Sequence, residues 1–580
     1  AVVNYQDTRF DHLKITAGVE LKQSQAIHFK TMDDLLGGNQ WIDVDAFSER
    51  DIRELATNIG MTQAQIAYVK QNNLKYWNEH GKEAQAIKEG DRFGYDYRIN
   101  MTTARIWAQN EWNWQNLNLY YGLQLTYSNI QRTTDMINGR AVYLAAVTAQ
   151  TDPVAAKRYL GSDNDYFKIQ QGNCASRLEG DWHHFIDPAF KMGLTYKING
   201  RNRIMLNAMA ETQAPLARDA YISPRVHDRA IETIYTHDNA HNLKDFYAAS
   251  EKVVGADLSY EFNYNAVRGR ITGFYTRFWD GSELNGYYDD EARTFVNQAI
   301  TGINRRHAGL EAALQVKLGT YFTLTGATSI SDQRYMSNAY CVTSAENGMA
   351  LDTYLDGETG TERQLYELRD SVLYNGLRVS NGPQLTASLK LSFFHPKMWF
   401  ADVTVSYYDW NWMSVAPSRR MQGLFYGTRA DGSTVNGNFT NVYTDHDVCR
   451  DVRELDAQGN PVLNAYGIPE LQSPYKYMVE QESLVDKDPW HRFVIDLSVG
   501  KLIYLKNRQS LSINLSCTNI TNNVYLKTGG YQQARLPRST RQKVTDEHNN
   551  STITPNIWKF PSKYYYAWGA NFYLTLTYKF

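Results

Sequence analysis

The last nine residues of the chain alternate strictly, with Phe572, Leu574, Leu576, Tyr578 and Phe580 on one side and Tyr573, Thr575, Thr577 and Lys579 on the other. Successive side chains of a strand point to opposite faces, so a period of two predicts a strand with one apolar and one polar face. The pattern recurs at Leu511, Ile513, Leu515 and Cys517 against Ser512, Asn514 and Ser516, and at Phe493, Ile495, Leu497 and Val499 against Arg492, Asp496 and Ser498. Ala401, Val403, Val405 and Tyr407 alternate with Asp402, Thr404, Ser406 and Tyr408, and Leu258, Tyr260, Phe262 and Tyr264 with Asp257, Ser259, Glu261 and Asn263. Leu117, Leu119, Tyr121, Leu123 and Leu125 alternate with Asn118, Gln124 and Thr126. About fourteen strands are expected, over 13–21, 93–106, 114–127, 189–197, 201–211, 254–264, 267–278, 306–317, 320–328, 384–393, 398–408, 491–502, 509–518 and 566–580.

The connections between these segments alternate between tight and long. Tight turns are expected at 110–112, 199–200, around 265, at Gly319, at 395–396 and at 506–508. The connections 25–92, 128–177, 214–247, 279–303, 333–377, 412–489 and 522–559 are long and polar, the first with helical stretches at Glu49–Ala56 and Gln63–Trp77. A sandwich does not alternate this way, whereas an antiparallel transmembrane β-barrel with short turns at one rim and long loops at the other does. The polar strand face then lines a lumen. Asp96, Arg98, Asn118, Gln124, Asp257, Glu261, Glu311, Asp402, Arg492 and Asp496 are the residues expected to face it. Their mixed sign argues against a simple anion- or cation-selective pore. The 14 prolines are expected in loops, turns or the first residues of strands, because a proline cannot donate to a ladder.

Composition sharpens this picture. Aromatic residues make up 13% of the chain, 41 of them Tyr, and gather near strand ends as the girdles of a membrane barrel do. The longest purely apolar stretch, Ala141–Val147, is far below the roughly 18 residues of a spanning helix. A net charge of −2 gives no basic footprint for nucleic acid. The four cysteines lack metal-ligand spacing, and His183 and His184 fall on opposite faces of a strand, so no metal or other cofactor is expected. Asp163, Asn164 and Asp165 lack the spacing of a calcium loop. Neither a nucleophile elbow nor a phosphate-cradling glycine loop is present, and the chain does not read as an enzyme.

Several loop-borne motifs resemble the TonB-dependent transporters of the Bacteroidetes. They are Met32–Gly38 with Trp41–Asp45 and Ser48–Asp51, Lys88–Asp91 with Phe93–Tyr97, Ala220–Arg225, Arg293–Asn297 and Thr301–Asn304. Thr518–Asn523, Leu526–Tyr531 and Lys563–Gly569 resemble that family's last hairpin. The resemblance implies a bacterial outer-membrane receptor embedded in outer-membrane lipids, whose loops capture a ligand and whose plug is pulled by the TonB complex to open the lumen. Such proteins begin with a carboxypeptidase-like regulatory module, a TonB-box segment and a plug, and their barrels have twenty-two strands. None of those N-terminal modules is visible here, so residues 1–580 are expected to be the C-terminal barrel portion of a longer polypeptide, with eight more strands before it. Two alternatives stand beside this one: a barrel that docks a surface lipoprotein partner as a scaffold, and a complete fourteen-stranded passive channel.

Overall fold

A computed structural model describes the chain apart from residues 1, 11, 51–61, 82, 140–177, 180–181, 218–220, 222–231, 238–242, 248, 290–293, 346–351, 356–361, 366, 381, 422–455, 459, 461, 464–480, 535–540, 546–550 and 556–560. The fold is all-β, and its main body is one antiparallel up-and-down meander of fifteen strands. They are β1 (Val2–Phe10), β2 (Leu13–Thr31), β3 (Arg92–Asn113), β4 (Leu117–Thr134), β5 (His183–Asn199), β6 (Asn202–Gln213), β7 (Glu251–Asn263) and β8 (Val267–Asp289). The series continues with β9 (Thr294–Leu318), β10 (Phe322–Tyr335), β11 (Leu385–Phe394), β12 (Trp399–Asp409), β13 (Phe493–Tyr504), β14 (Ser510–Thr518) and β15 (Asn571–Lys579). Each strand ladders with the next in sequence.

Tight and long connections alternate as expected with one correction: between β8 and β9 the ladder runs on through the expected long connection 279–303 as far as Asp289 and Thr294, so only residues 290–293 separate the two strands. One strand, β1, is additional to the fourteen read from the sequence. Its ladder pairs Val3 with Val19 and Tyr5 with Ala17 and closes at Phe10 with Leu13. The turn expected at 110–112 is a correction: Asn110 and Trp112 ladder with Tyr121 and Leu119, and β3 reverses only after Asn113. Pro188 departs from the proline expectation by lying inside β5, opposite Leu125. The β5–β6 ladder begins one residue later, at Ala189 and Glu211, so the missing N–H falls where that side of the strand has no partner.

Directly paired residues share a face, which lets the faces be followed from strand to strand. On one face Val19, Ile106, Leu125 and Ile186 lie side by side or close by, and farther along come Leu258, Ile271, Leu310, Ile330, Leu389, Val403, Leu515 and Leu574. These side chains are exposed, Leu310 to 61% and Leu574 to 64%, in a belt that crosses the whole sheet. An apolar surface of that extent is not left to water by a soluble monomer. The other face carries Glu20, Arg105, Thr126, Asp257, Arg270, Glu311, Asp402 and Asn514.

Toward the long-loop rim the strands outrun the belt, β8 and β9 reaching 23 and 25 residues. There the connections pack on each other. Ile300, Ile303, Ala339, Cys341, Val372, Tyr374 and Met421 form a small apolar core. Arg420 is fully buried beside it and donates to Gln532, while Ser414 and Tyr531 form a parallel bridge. Burial pushes the Arg420 guanidinium down to about 10. Three connections distant in sequence therefore share one cap. In the connection after β2, short helices span Ala46–Arg50, Gln63–Val69 and Leu74–Glu79, the second started by a Thr62–Gln65 capping box. Of the expected helical stretches, 51–61 lies outside the described residues, as do Asp163–Asp165, Cys174 and Cys449. Cys341 and Cys517 are buried, the former with its sulfur 3.6 Å from the Thr343 hydroxyl.

Candidate functional site

The polar face is laced by cross-strand pairs. Arg105 Nη1 lies 3.2 Å from Glu20, Lys191 Nζ 3.3 Å from Glu211, Arg203 Nη2 2.7 Å from Glu261 and Lys390 Nζ 3.2 Å from Asp402. Asn207 donates to Asp257 at 2.9 Å, and Arg270 donates to Ser259 and Thr272 at 3.0 and 3.1 Å. These pairs are partly exposed, and each contributes no more than about 0.2–1 kcal/mol. Their effect is chemical: they make a wall of alternating sign that water and polar solutes wet. Small side chains open a groove of about 580 Å³ in it, between Arg270, Glu311, Ala313, Ala327, Ser329 and Ser388.

The structure distributes the ten residues expected to face a lumen among three settings. Asn118, Gln124, Asp257, Glu261, Glu311, Asp402 and Asp496 lie on the polar face by register. Asn118 accepts from Lys197 at 3.3 Å, and Asp496 accepts the Asn519 N–H at 2.8 Å, which fixes the turn after β14. Asp96 and Arg98 are placed differently. Asp96 pairs with Phe29 and Arg98 with Ile27 in a ladder unbroken down to Ile106 and Val19, so both belong to the face of the apolar belt, beyond its edge. Arg92 bonds Asp96 at 2.6 Å and Arg98 bonds Asp135 at 2.8 Å. Arg492 ends a 3₁₀ turn before β13 and donates to Asp409 at 2.9 Å and to the Asp486 carbonyl at 3.0 Å.

Arg492 is also one wall of the more enclosed cavity at the long-loop end. This pocket of about 400 Å³ is bounded by Tyr408, Leu484, His491, Arg492, Lys527 and Trp568. It joins the end of β12, the start of β13 and the segment after β14, whose Lys527 carbonyl accepts from Asn411 at 3.0 Å. His491 stacks on Tyr525 with ring centroids 4.4 Å apart and stands 3.2 Å from Asp486. The Asp488 N–H, aided by His491, holds the Asp486 carboxyl below its ordinary range. Lys527 Nζ sits 4.6 Å from the Tyr564 ring centroid. Aromatic surface, two permanent cations, an imidazole and a carboxylate converge on one recess, an arrangement suited to a polar ligand with a flat or apolar part.

A second buried cation lies toward the long-loop end of β4. Arg132 is buried with its guanidinium carbon 4.0 Å from the Tyr97 ring and 5.7 Å from that of Tyr221, next to the cluster of Ile99, Ile130 and Tyr221. His491, Lys527, Trp568 and Arg132 were not reached from the sequence. Leu526–Tyr531 and Lys563–Gly569, which hold Lys527 and Trp568, stood out there only as motifs, and Arg132 lies where β4 has left the apolar belt. The histidine pair behaves as its strand position requires: His184 meets the Tyr127 hydroxyl at 2.8 Å, and His183 turns toward Tyr221 on the other side. Among the described residues no group of His, Cys, Asp and Glu could hold a metal ion.

No family model matches the chain, and no curated protein does. Among solved structures it is similar to "Copper transporter OprC" at 10% identity and a TM-score of 0.45, covering 99% of this chain and 55% of that one. It is similar to the ferric yersiniabactin uptake receptor FyuA from Yersinia pestis at 8% identity and 0.42, covering 100% and 53%. The ferric citrate transporter FecA in unliganded form matches at 9% identity and 0.41, covering 99% and 54%. The chain thus spans about half the length of these structures.

Proposed function

We propose that the chain is part of the wall of an outer-membrane barrel that receives a ligand at its long-loop end and passes it along a polar lumen, as an energy-coupled importer of the TonB-dependent kind. The observation that carries this reading is the two-faced sheet. A belt of exposed Leu, Ile and Val on one side suits lipid, and a charge-laced opposite face suits an aqueous path. The pocket at Tyr408, His491, Arg492, Lys527 and Trp568 is the proposed capture site, and the groove by Arg270 and Glu311 lies on the path.

Strand direction supports a larger barrel. β1 and β15 both run toward the tight-turn rim, and among the described residues neither has a partner on its outer edge. Bringing them together would make a parallel contact, whereas an odd number of further strands restores antiparallel pairing all round. Seven would complete twenty-two, in place of the eight expected from the sequence. In hydrocarbon, open edges are not tolerated, because each unsatisfied backbone group costs several kcal/mol. A plug and a TonB-contacting segment in the rest of the protein, and the Bacteroidetes type, belong to the same proposal.

The test is uptake by cells carrying the native protein, after mass spectrometry has identified what purified protein retains. Import should stop when the proton gradient is collapsed and fall at least tenfold in Arg492→Ala or Lys527→Ala. Flux indifferent to the gradient would favour the passive channel. Co-purification of a lipoprotein without ligand or flux would favour the scaffold.

A further inference from the structure

The face of the apolar belt does not stay apolar toward the long-loop rim. Arg277 of β8 pairs in register with Arg306 of β9, Arg306 with Arg334 of β10, and Arg334 bridges Arg378 in the segment before β11. Four arginines thus stand side by side on neighbouring backbones. At about 4.8 Å per strand the row is roughly 14 Å long. Unbroken registers put Arg277, Arg306 and Arg334 on the same face as Tyr275, Leu310 and Ile330, which are 48%, 61% and 44% exposed. The basic row therefore stands about four residues above the belt, on the belt's own side.

Like charges placed directly opposite across a ladder are destabilising. One carboxylate answers them from within: Asp332 accepts from Arg306 and Arg378 and, at 2.8 Å, from Arg334. Arg277 has no such partner among the described residues and lies 5.6 Å over the Trp279 ring, while Arg306 Nε is buried without a hydrogen-bond acceptor. Burial, together with Arg334 and Arg306, lowers the Arg378 guanidinium from its ordinary range. One register step farther out, Lys252 pairs with Asp280 at 2.5 Å. Among the described residues, five cations (Lys252, Arg277, Arg306, Arg334 and Arg378) face two carboxylates (Asp280 and Asp332), a surplus of three positive charges. Glu251, the carboxylate closest in sequence, is turned to the polar face, where it holds Arg305 at 2.8 Å.

We propose that this row binds the phosphorylated headgroup of a lipid in the outer leaflet, whose acyl chains lie along Tyr275, Leu310 and Ile330 below it. Guanidinium forks match phosphate oxygens in pairs, and the spread of the row suits a headgroup with more than one phosphate. The apolar belt in line beneath is what selects a lipid over a free anion. This inference rests on the proposal that the belt lies in a bilayer.

The test uses the native protein purified in detergent, incubated with diphosphorylated lipid A or with the same lipid stripped of phosphate, and analysed by mass spectrometry for retained lipid. The expected result is retention of the phosphorylated form alone. It should fall at least tenfold in the Arg277→Gln, Arg306→Gln double variant, recover in Arg277→Lys, Arg306→Lys, and be unchanged in Arg203→Gln on the polar face. Circular dichroism confirms that each variant is folded. Equal retention of both lipids, or of phosphorylated lipid by wild type and the glutamine variant, would overturn the proposal, as would full displacement by millimolar inorganic phosphate. Quenching by brominated lipids of a fluorophore at Leu310→Cys separates the two levels. Absent quenching refutes the bilayer reading itself, whereas strong quenching with unchanged headgroup retention refutes only the arginine site.

Discussion

Replacing Leu574 by Arg tests the assignment of the two faces. Leu574 is 64% exposed and stands opposite Leu515, itself 52% exposed and paired on its far side with Val499. Counting from Lys579 at the tight-turn end of β15, five residues at about 3.4 Å and a tilt of about 40° raise Leu574 by roughly 13 Å. That is half of an apolar band about 25 Å tall, so the new guanidinium would sit near the midplane, where Arg costs about 2–4 kcal/mol. At 1.4 kcal/mol per factor of ten, the folding equilibrium should shift by roughly 25- to 700-fold. Thr575, its chain neighbour, pairs with Asn514 on the polar face, where Arg should cost well under 1 kcal/mol. The assay is denaturant unfolding of the native protein refolded into phospholipid vesicles, with Leu574→Arg and Thr575→Arg measured against wild type. Equal costs, or a larger one at Thr575, would refute the assignment.

Three further outcomes are expected. Single cysteines at Leu463, in the long connection after β12, should react with an impermeant maleimide on intact cells, whereas those at Lys506, in the tight turn between β13 and β14, should not; the reverse pattern would invert the topology. Gly18→Val should destabilise by about 1–3 kcal/mol in the same unfolding assay, because a Cβ there would come within 2.2 Å of the Trp107 ring, and Gly18→Val, Trp107→Ala should recover part of the loss. Burial, with Glu283 nearby, raises the Tyr374 phenol well above 10. The stability its retained proton gives the cap is fully present below pH 10 and is lost as pH rises through the raised folded value. Tyr335, pushed up to about 12 by burial, also titrates late, so phenolate absorbance should show fewer early-titrating tyrosines in the folded wild type than in urea, a deficit that Tyr374→Phe reduces by one.

The belt was legible because a sheet between two unlike media must alternate, and Leu511–Cys517 or Leu117–Leu125 can do so only as strands. Where both faces meet water or protein the pattern dissolves. β1 escaped notice because Asn4, Gln6, Asp7, Thr8 and Arg9 are polar on either parity. Asp96 and Arg98 looked like lumen residues because charge was equated with the inner face, yet above the belt the outer face is free to carry charge too. The contrast with Asp257 and Glu261 is one of height along the strand, since those two sit level with Leu258 and Tyr260 inside the belt. The pocket and the cap depend on contacts such as Asn411 with Lys527 and Ser414 with Tyr531, more than 100 residues apart. No local period encodes such distances.

The unequal strand lengths give the wall a skyline. At about 3.4 Å per residue and the same tilt, the 25 residues of β9 rise roughly 65 Å, against about 23 Å for the nine of β15. β8 and β9 thus form a parapet some 40 Å higher than the ladder of β14 and β15. In the proposed barrel, that parapet is what a large particle meets before the mouth, and the low side, with Lys527 and Trp568 at its sill, is the entry left to a small solute.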